Sequence, residues 1–167
     1  MKSMEIKLSL YREQLLLERL HKLRKDQNLF LGILGGIIAM IFCSVIWTAI
    51  TIFTGYQIIL MSLMVGFITG SAIRISGMAI DPVFRFIGAI LALIGCFAGN
   101  LFSAIAIIAD MEHISYLTAM RWLNYHVFID IVFDIYHGID LLFYLAAAGF
   151  AYYFSAGSPN FIIKQRV

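Results

Sequence analysis

His126, Asp130, Asp134 and His137 come nearest, by type and spacing, to a chemical site in this chain. They fall at i, i+4, i+8 and i+11, so a helix would carry all four on one face. Imidazole and carboxylate groups ligate divalent cations, and such groups in series can pass protons. Yet no HExxH and no cysteine pair accompanies them. The same spacing also describes the wet face of a helix lying at an interface. The four residues are therefore weak metal candidates, and neither a metal nor a cofactor is expected. No nucleophile–base pair, phosphate loop or metalloprotease motif occurs elsewhere, so the chain reads as no enzyme.

The polar residues inside apolar runs form a second set: Thr48, Thr51, Ser62, Thr69, Asn100 and Ser103. Asn100 is the costliest of these to expose to hydrocarbon. It should hydrogen-bond to another helix, with a polar path through the membrane as the alternative. Arg74 stands near the end of an apolar run. It can snorkel to a lipid headgroup or pair with Asp81 in the following loop.

The elements that position these residues follow from composition. Among 167 residues, 62% are hydrophobic and 13% charged. Soluble domains average roughly 45–50% apolar and about 25% charged. A soluble enzyme, a nucleic-acid-binding domain and a disordered chain are all excluded on that ground, and an all-α integral membrane bundle is expected. Cys43 and Cys96 both sit in apolar runs, where buried free thiols are expected.

Four apolar spans can be drawn, at about 29–53, 58–75, 86–109 and 139–155. The first is uncharged throughout and too long for the core of a signal peptide. Thr54-Gly55-Tyr56-Gln57 breaks the apolar run, and Asp81-Pro82 marks a helix start. Segment 110–138 interleaves charges with aromatics and reads as interfacial helix. Residues 29–156 thus form the transmembrane domain, between a cytoplasmic amphipathic helix at 1–28 and a cytoplasmic tail at 157–167. In the first of these, Leu16, Leu20 and Leu23 keep helical spacing. That helix would lie on the membrane surface or dock a partner.

Charge placement orients the bundle. With both termini cytoplasmic, eleven of the 12 basic residues fall on the inner side and only Arg121 falls outside. Segment 110–140 carries Asp110, Glu112, Asp130, Asp134 and Asp140. The positive-inside rule is satisfied.

Glycines recur at helical spacing: Gly35, Gly66, Gly70, Gly88, Gly95 and Gly99. In lipid, helices associate by close approach, which small residues permit. We read these positions as packing faces, within one copy or between copies. A non-enzymatic protein acting through assembly follows, as an accessory or scaffold subunit. Its partners would be the bilayer and either further copies or a membrane complex, with no nucleic acid. A small-ion channel or transporter is the alternative.

The stretch Thr54-Gly55-Tyr56-Gln57-Ile58, with Met61, Val65-Gly66-Phe67, Gly70, Ala72-Ile73-Arg74 and Gly77, resembles a motif of a family of small uncharacterised bacterial membrane proteins. Gly88 to Leu101 and Asp140 to Tyr144 resemble later blocks of the same family. The likeness covers roughly residues 48–155. Ile59 and Ser62 depart from it, and so do Phe150 and Tyr153, where the family often has Glu and Lys. The resemblance implies four spans in a bacterial inner membrane and implies no activity.

Overall fold

A computed structural model describes residues 2–56, 58–121 and 138–157. All regular structure among them is helical: α1 (Lys2–Lys25), α2 (Leu29–Thr54), α3 (Met61–Gly77), α4 (Pro82–Met111), α5 (Tyr116–Arg121) and α6 (Gly138–Phe154).

The boundaries have local causes. Asn28 is extended, and its side-chain oxygen accepts from the Leu31 N–H at 3.0 Å, satisfying one free donor of the first turn of α2. Gly55 closes α2 at φ 70, a left-handed conformation that glycine adopts without strain. Met78 takes the same role after α3 at φ 47, with its N–H on the Arg74 carbonyl. Pro82 stands at the start of α4, where its missing N–H costs nothing and its fixed φ suits a helix.

Four helices build the bundle. α3 and α4 pack on each other, and each also packs on both α2 and α6. The facing residues give the directions. Gly32 meets Gly77 and Gly36 meets Ile73, so α2 and α3 run antiparallel. Gly66 meets Ala147 and Gly70 meets Ala151, so α3 and α6 run parallel. Gly88 meets Ser155 while Asn100 meets Tyr144, so α4 and α6 run antiparallel. Cys43 and Trp47 of α2, Val65 of α3, Cys96 of α4, and Tyr144 and Ala147 of α6 form one cluster that joins all four helices. Both cysteines are buried and free. α5 closes against α4, where Ala119 packs with Ile105 and Ala109.

Two of the four bundle helices are long and apolar enough to cross a bilayer, α2 with 26 residues and α4 with 30. α3 and α6 have 17 residues each. That is short of the roughly 20 residues an untilted crossing takes, so the expectation of four spans is met by length in two helices. α4 starts at Pro82, four residues before the span expected from Phe86, and takes Arg85 into its first turn. In α1 the consecutive Leu15, Leu16 and Leu17 are all exposed. Three neighbours cover an arc of about 200°, wider than a single apolar stripe.

Candidate functional site

Two polar assemblies stand out, one inside the bundle and one at its end.

The first lies along α4. The Ser44 hydroxyl donates to the Gly95 carbonyl at 3.0 Å, and the Thr51 hydroxyl meets that of Ser103 at 3.1 Å. Both bonds tie α2 to α4. On the other flank, Asn100 Nδ2 donates to the Tyr144 hydroxyl at 2.7 Å and ties α4 to α6. The Cys96 thiol points at the Ser62 carbonyl of α3, 3.7 Å away. Helix α4 thus reaches each of the other three bundle helices through a polar group, and each group is buried. Asn100 sits in a helix–helix contact, with its amide on a phenol. Trp47 Nε1 and Thr69 Oγ1 are buried without a hydrogen-bond partner.

The glycines sit between these bonds, and the structure brings them into helix contacts. A methyl on Gly66 would overlap the Ala147 backbone, and one on Gly70 the Ala151 backbone. Gly35 faces Ser76, and Gly88 faces Ser155 with Ala151 behind it. Gly95 is covered by Met40 and Val65, and Gly99 by the Trp47 ring. Gly149 differs: among the described residues nothing lies within 4 Å of a methyl placed there, and it is exposed.

The second assembly gathers the ends of five helices. The Asn28 N–H donates to the Gly77 carbonyl at 3.0 Å, and the Gly157 N–H to the Ala79 carbonyl at 2.8 Å. Gln27 is central. Its Oε1 accepts from the Ile80 and Asp81 N–H groups at 2.8 and 2.9 Å. Its Nε2 donates to the Asp81 carboxylate at 3.0 Å and to the Arg24 carbonyl at 3.2 Å. Arg24 Nε reaches the other Asp81 oxygen at 3.1 Å. Beneath this network Ile73, Ala79, Phe84 and Ala156 form a buried cluster.

Asp81 therefore pairs with Arg24 of α1, and of the two roles open to Arg74 the ion pair with Asp81 is not seen among the described residues. The left-handed turn at Met78 reverses the chain, and the Asp81 carboxylate is taken by α1. Nor does that carboxylate cap its own helix. Arg74 is half-buried in the last turn of α3, where a cation suits the negative helix end. Arg85 is half-buried, with its guanidinium carbon 5.7 Å from the Tyr152 ring centre and its Nε enclosed without a partner. Tyr152 also meets the Phe86 ring edge to face at 5.5 Å.

His126, Asp130, Asp134 and His137 lie outside the described residues. Among the described residues, no three His, Cys, Asp or Glu side chains come together as a metal site. Sequence reasoning missed Gln27, Tyr144 and Arg85. Gln27 carries no signal, since Ile80 and Asp81, which it joins to α1, lie more than fifty positions away. Tyr144 sits i−3 from Ala147 and i−7 from Ala151, on the small-residue face of α6, and that spacing was readable.

No protein-family model, curated protein or solved structure matches the chain.

Proposed function

We propose that the chain is a multi-pass membrane protein that works by assembly, with α2, α3, α4 and α6 as four spans and both termini cytoplasmic. One observation carries this reading: the bundle exposes large apolar side chains on all four helices while it buries polar ones beside a core of mostly small apolar residues. Its interior holds Ser44, Thr48, Thr51, Ser62, Thr69, Asn100 and Ser103. Its exterior is apolar on all four helices. Ile38, Phe42 and Val45 are exposed on α2, Met64 and Phe67 on α3, Ile90 and Ile94 on α4, and Leu142 and Leu145 on α6. Water would penalise such an exterior, since soluble monomers rarely carry large continuous apolar patches. Hydrocarbon favours it, with small residues packing inside and polar ones bonding across helices. The most apolar stretches of α2 and α4 are only 28% and 44% buried within the protein, unlike an enclosed soluble core helix. The short α3 and α6 carry the same apolar faces, and local thinning or flanking aromatics accommodates such lengths. The resemblance to bacterial inner-membrane proteins supports the location, and the basic residues around α1 support the orientation.

The non-enzymatic part of the reading rests on how the interior groups are used. Ser44, Thr51, Ser103 and Asn100 bond across helix contacts, which suits structure more than reaction or conduction. The test is fractionation followed by site-directed labelling. Single cysteines replace Ser3, Glu112 and Ser158 in a chain whose Cys43 and Cys96 are serines. A membrane-impermeant maleimide added to intact cells is expected to label position 112, and positions 3 and 158 only after permeabilisation. Chain that stays in solution without detergent, or termini labelled from outside, would overturn the topology. A strict monomer without a co-purifying partner in mild detergent would overturn assembly.

A further inference from the structure

The junction end holds a cation with no ion-pair partner among the described residues. Arg85 lies in the first turn of α4, and its Nε is enclosed with no acceptor in reach. Its guanidinium stands over Tyr152 of α6, which is 37% exposed, and Phe86 beside it is 61% exposed. Asp81, four residues earlier, is committed to Arg24 and Gln27. Asp26 stands exposed at the end of α1 and forms no ion pair with Arg85. Arg74, on the last turn of α3, adds like charge at the same end of the bundle.

The enclosed Nε is sealed from any ligand, so the terminal nitrogens of the half-buried guanidinium are the donors left for an acceptor. The aromatic face stabilises the cation and leaves the planar edge of the guanidinium free. That edge matches the oxygens of a phosphate, which an arginine can bind by two parallel hydrogen bonds. The depth fits as well. In the four-span reading, on which this inference rests, Arg85 and Tyr152 sit at the cytoplasmic headgroup level, where tyrosines gather and long cationic side chains reach out of the hydrocarbon.

We propose that Arg85, seated on Tyr152 between α4 and α6, forms a binding site for a phosphate group, supplied by an anionic phospholipid or by free phosphate. The phosphate accepts from the guanidinium, and the acyl chains of a lipid would lie along the exposed Phe86 and Ile90 of α4.

The full chain, purified in an uncharged detergent, tests this in three arms: dioleoylphosphatidylglycerol, dioleoylphosphatidylcholine, and sodium phosphate without lipid. Intact-complex mass spectrometry counts retained molecules, and thermal unfolding reads stabilisation. Phosphatidylglycerol is expected to stay bound and raise the midpoint. Arg85→Gln is expected to lose about tenfold in retention, the effect of one charge-assisted hydrogen bond. Lys22→Gln removes the same charge from the exposed face of α1 and is expected to change nothing. An Arg85-dependent response to sodium phosphate alone equal to that with lipid assigns the site to free phosphate. The proposal is overturned if wild-type chain retains neither ligand, if Arg85→Gln retains phosphatidylglycerol as wild type does, or if Lys22→Gln loses it equally. Tyr152→Leu guards against an Arg85 variant that fails to fold: it is expected to lower retention, and unchanged retention overturns the site. Chain that enters vesicles of both lipids without Arg85 dependence defeats this site alone. Chain that enters neither defeats the membrane reading.

Discussion

Asn100 and Tyr144 meet inside the bundle, where an amide nitrogen of one donates to the hydroxyl of the other at 2.7 Å. Only 5% of Asn100 and 6% of Tyr144 is exposed, so the bond is shielded from solvent. The bond holds α4 to α6 toward the end opposite the Gln27 network. Tyr144→Phe is expected to lower stability by about 1 kcal/mol, the usual worth of such a bond between packed helices. Unfolding by SDS titration in mixed micelles measures it. Combining Tyr144→Phe with Asn100→Leu should cost less than the sum of the two, because both changes remove the same bond. Full additivity would mean that the pair does not interact.

Glycines on two helices offer a sharper contrast. Gly66→Ala forces the α3 backbone away from α6 at Ala147. Overpacking of this kind costs about 1–3 kcal/mol. Gly149→Ala meets nothing and gains helix propensity, so stability is expected to hold or rise by up to about 1 kcal/mol. The same SDS titration ranks the two, and equal effects would contradict the packing described for α3 and α6.

Removing Gln27 should loosen α1. Gln27→Ala strips the acceptor from the Ile80 and Asp81 N–H groups and one donor from the Asp81 carboxylate. A loss of about 1–2 kcal/mol is expected, comparable with losing a helix cap. Trypsin is expected to cut after Lys22, Arg24 or Lys25 faster than in wild type. Asp81→Asn should do less, below about 1 kcal/mol, because the Arg24–Asp81 pair is largely solvated. A larger effect from Asp81→Asn than from Gln27→Ala would reverse the roles given to the two side chains.

Tyr116, in the short α5, packs beside Ile105 and Ala109, and burial pushes its phenol up from the ordinary tyrosine range. The folded state thus holds this proton more tightly than the unfolded chain does. Its contribution to stability is complete below the unfolded value near 10 and is lost as pH rises through the folded value. The tyrosinate absorbance of wild type minus that of Tyr116→Phe is expected to titrate above pH 10. A difference curve centred at or below 10 would refute the burial.

Much of this architecture could be read from residue order. The uncharged run from Leu29 to Phe53 matches α2 almost to the residue, because charges up to Asp26 mark its start and Gly55, in the break at 54–57, marks its end. Pro82 announces α4 by its fixed φ. Gly66 and Gly70 advertise a close helix contact, but not which helix makes it. Ala147 and Ala151 have the matching four-residue spacing, yet alanine is too common in apolar helices to signal a partner. Asp81 was legible as a residue near a helix start and illegible as the partner of Arg24. That pairing depends on how α1 leaves the bundle, and nothing local to either residue encodes it. Gln27 is the extreme case, since an amide side chain in a short connection can bond almost anywhere. The His126–His137 face lies outside the described residues, and its chemistry stays where the spacing left it.

The Gln27 network also has a mechanical meaning. At 1.5 Å per residue, the 24 residues of α1 make a rod about 36 Å long. Its base is bolted to the chain reversal between α3 and α4 by one amide and one carboxylate. A pull at the far tip therefore reaches that reversal as a torque multiplied by the length of the rod.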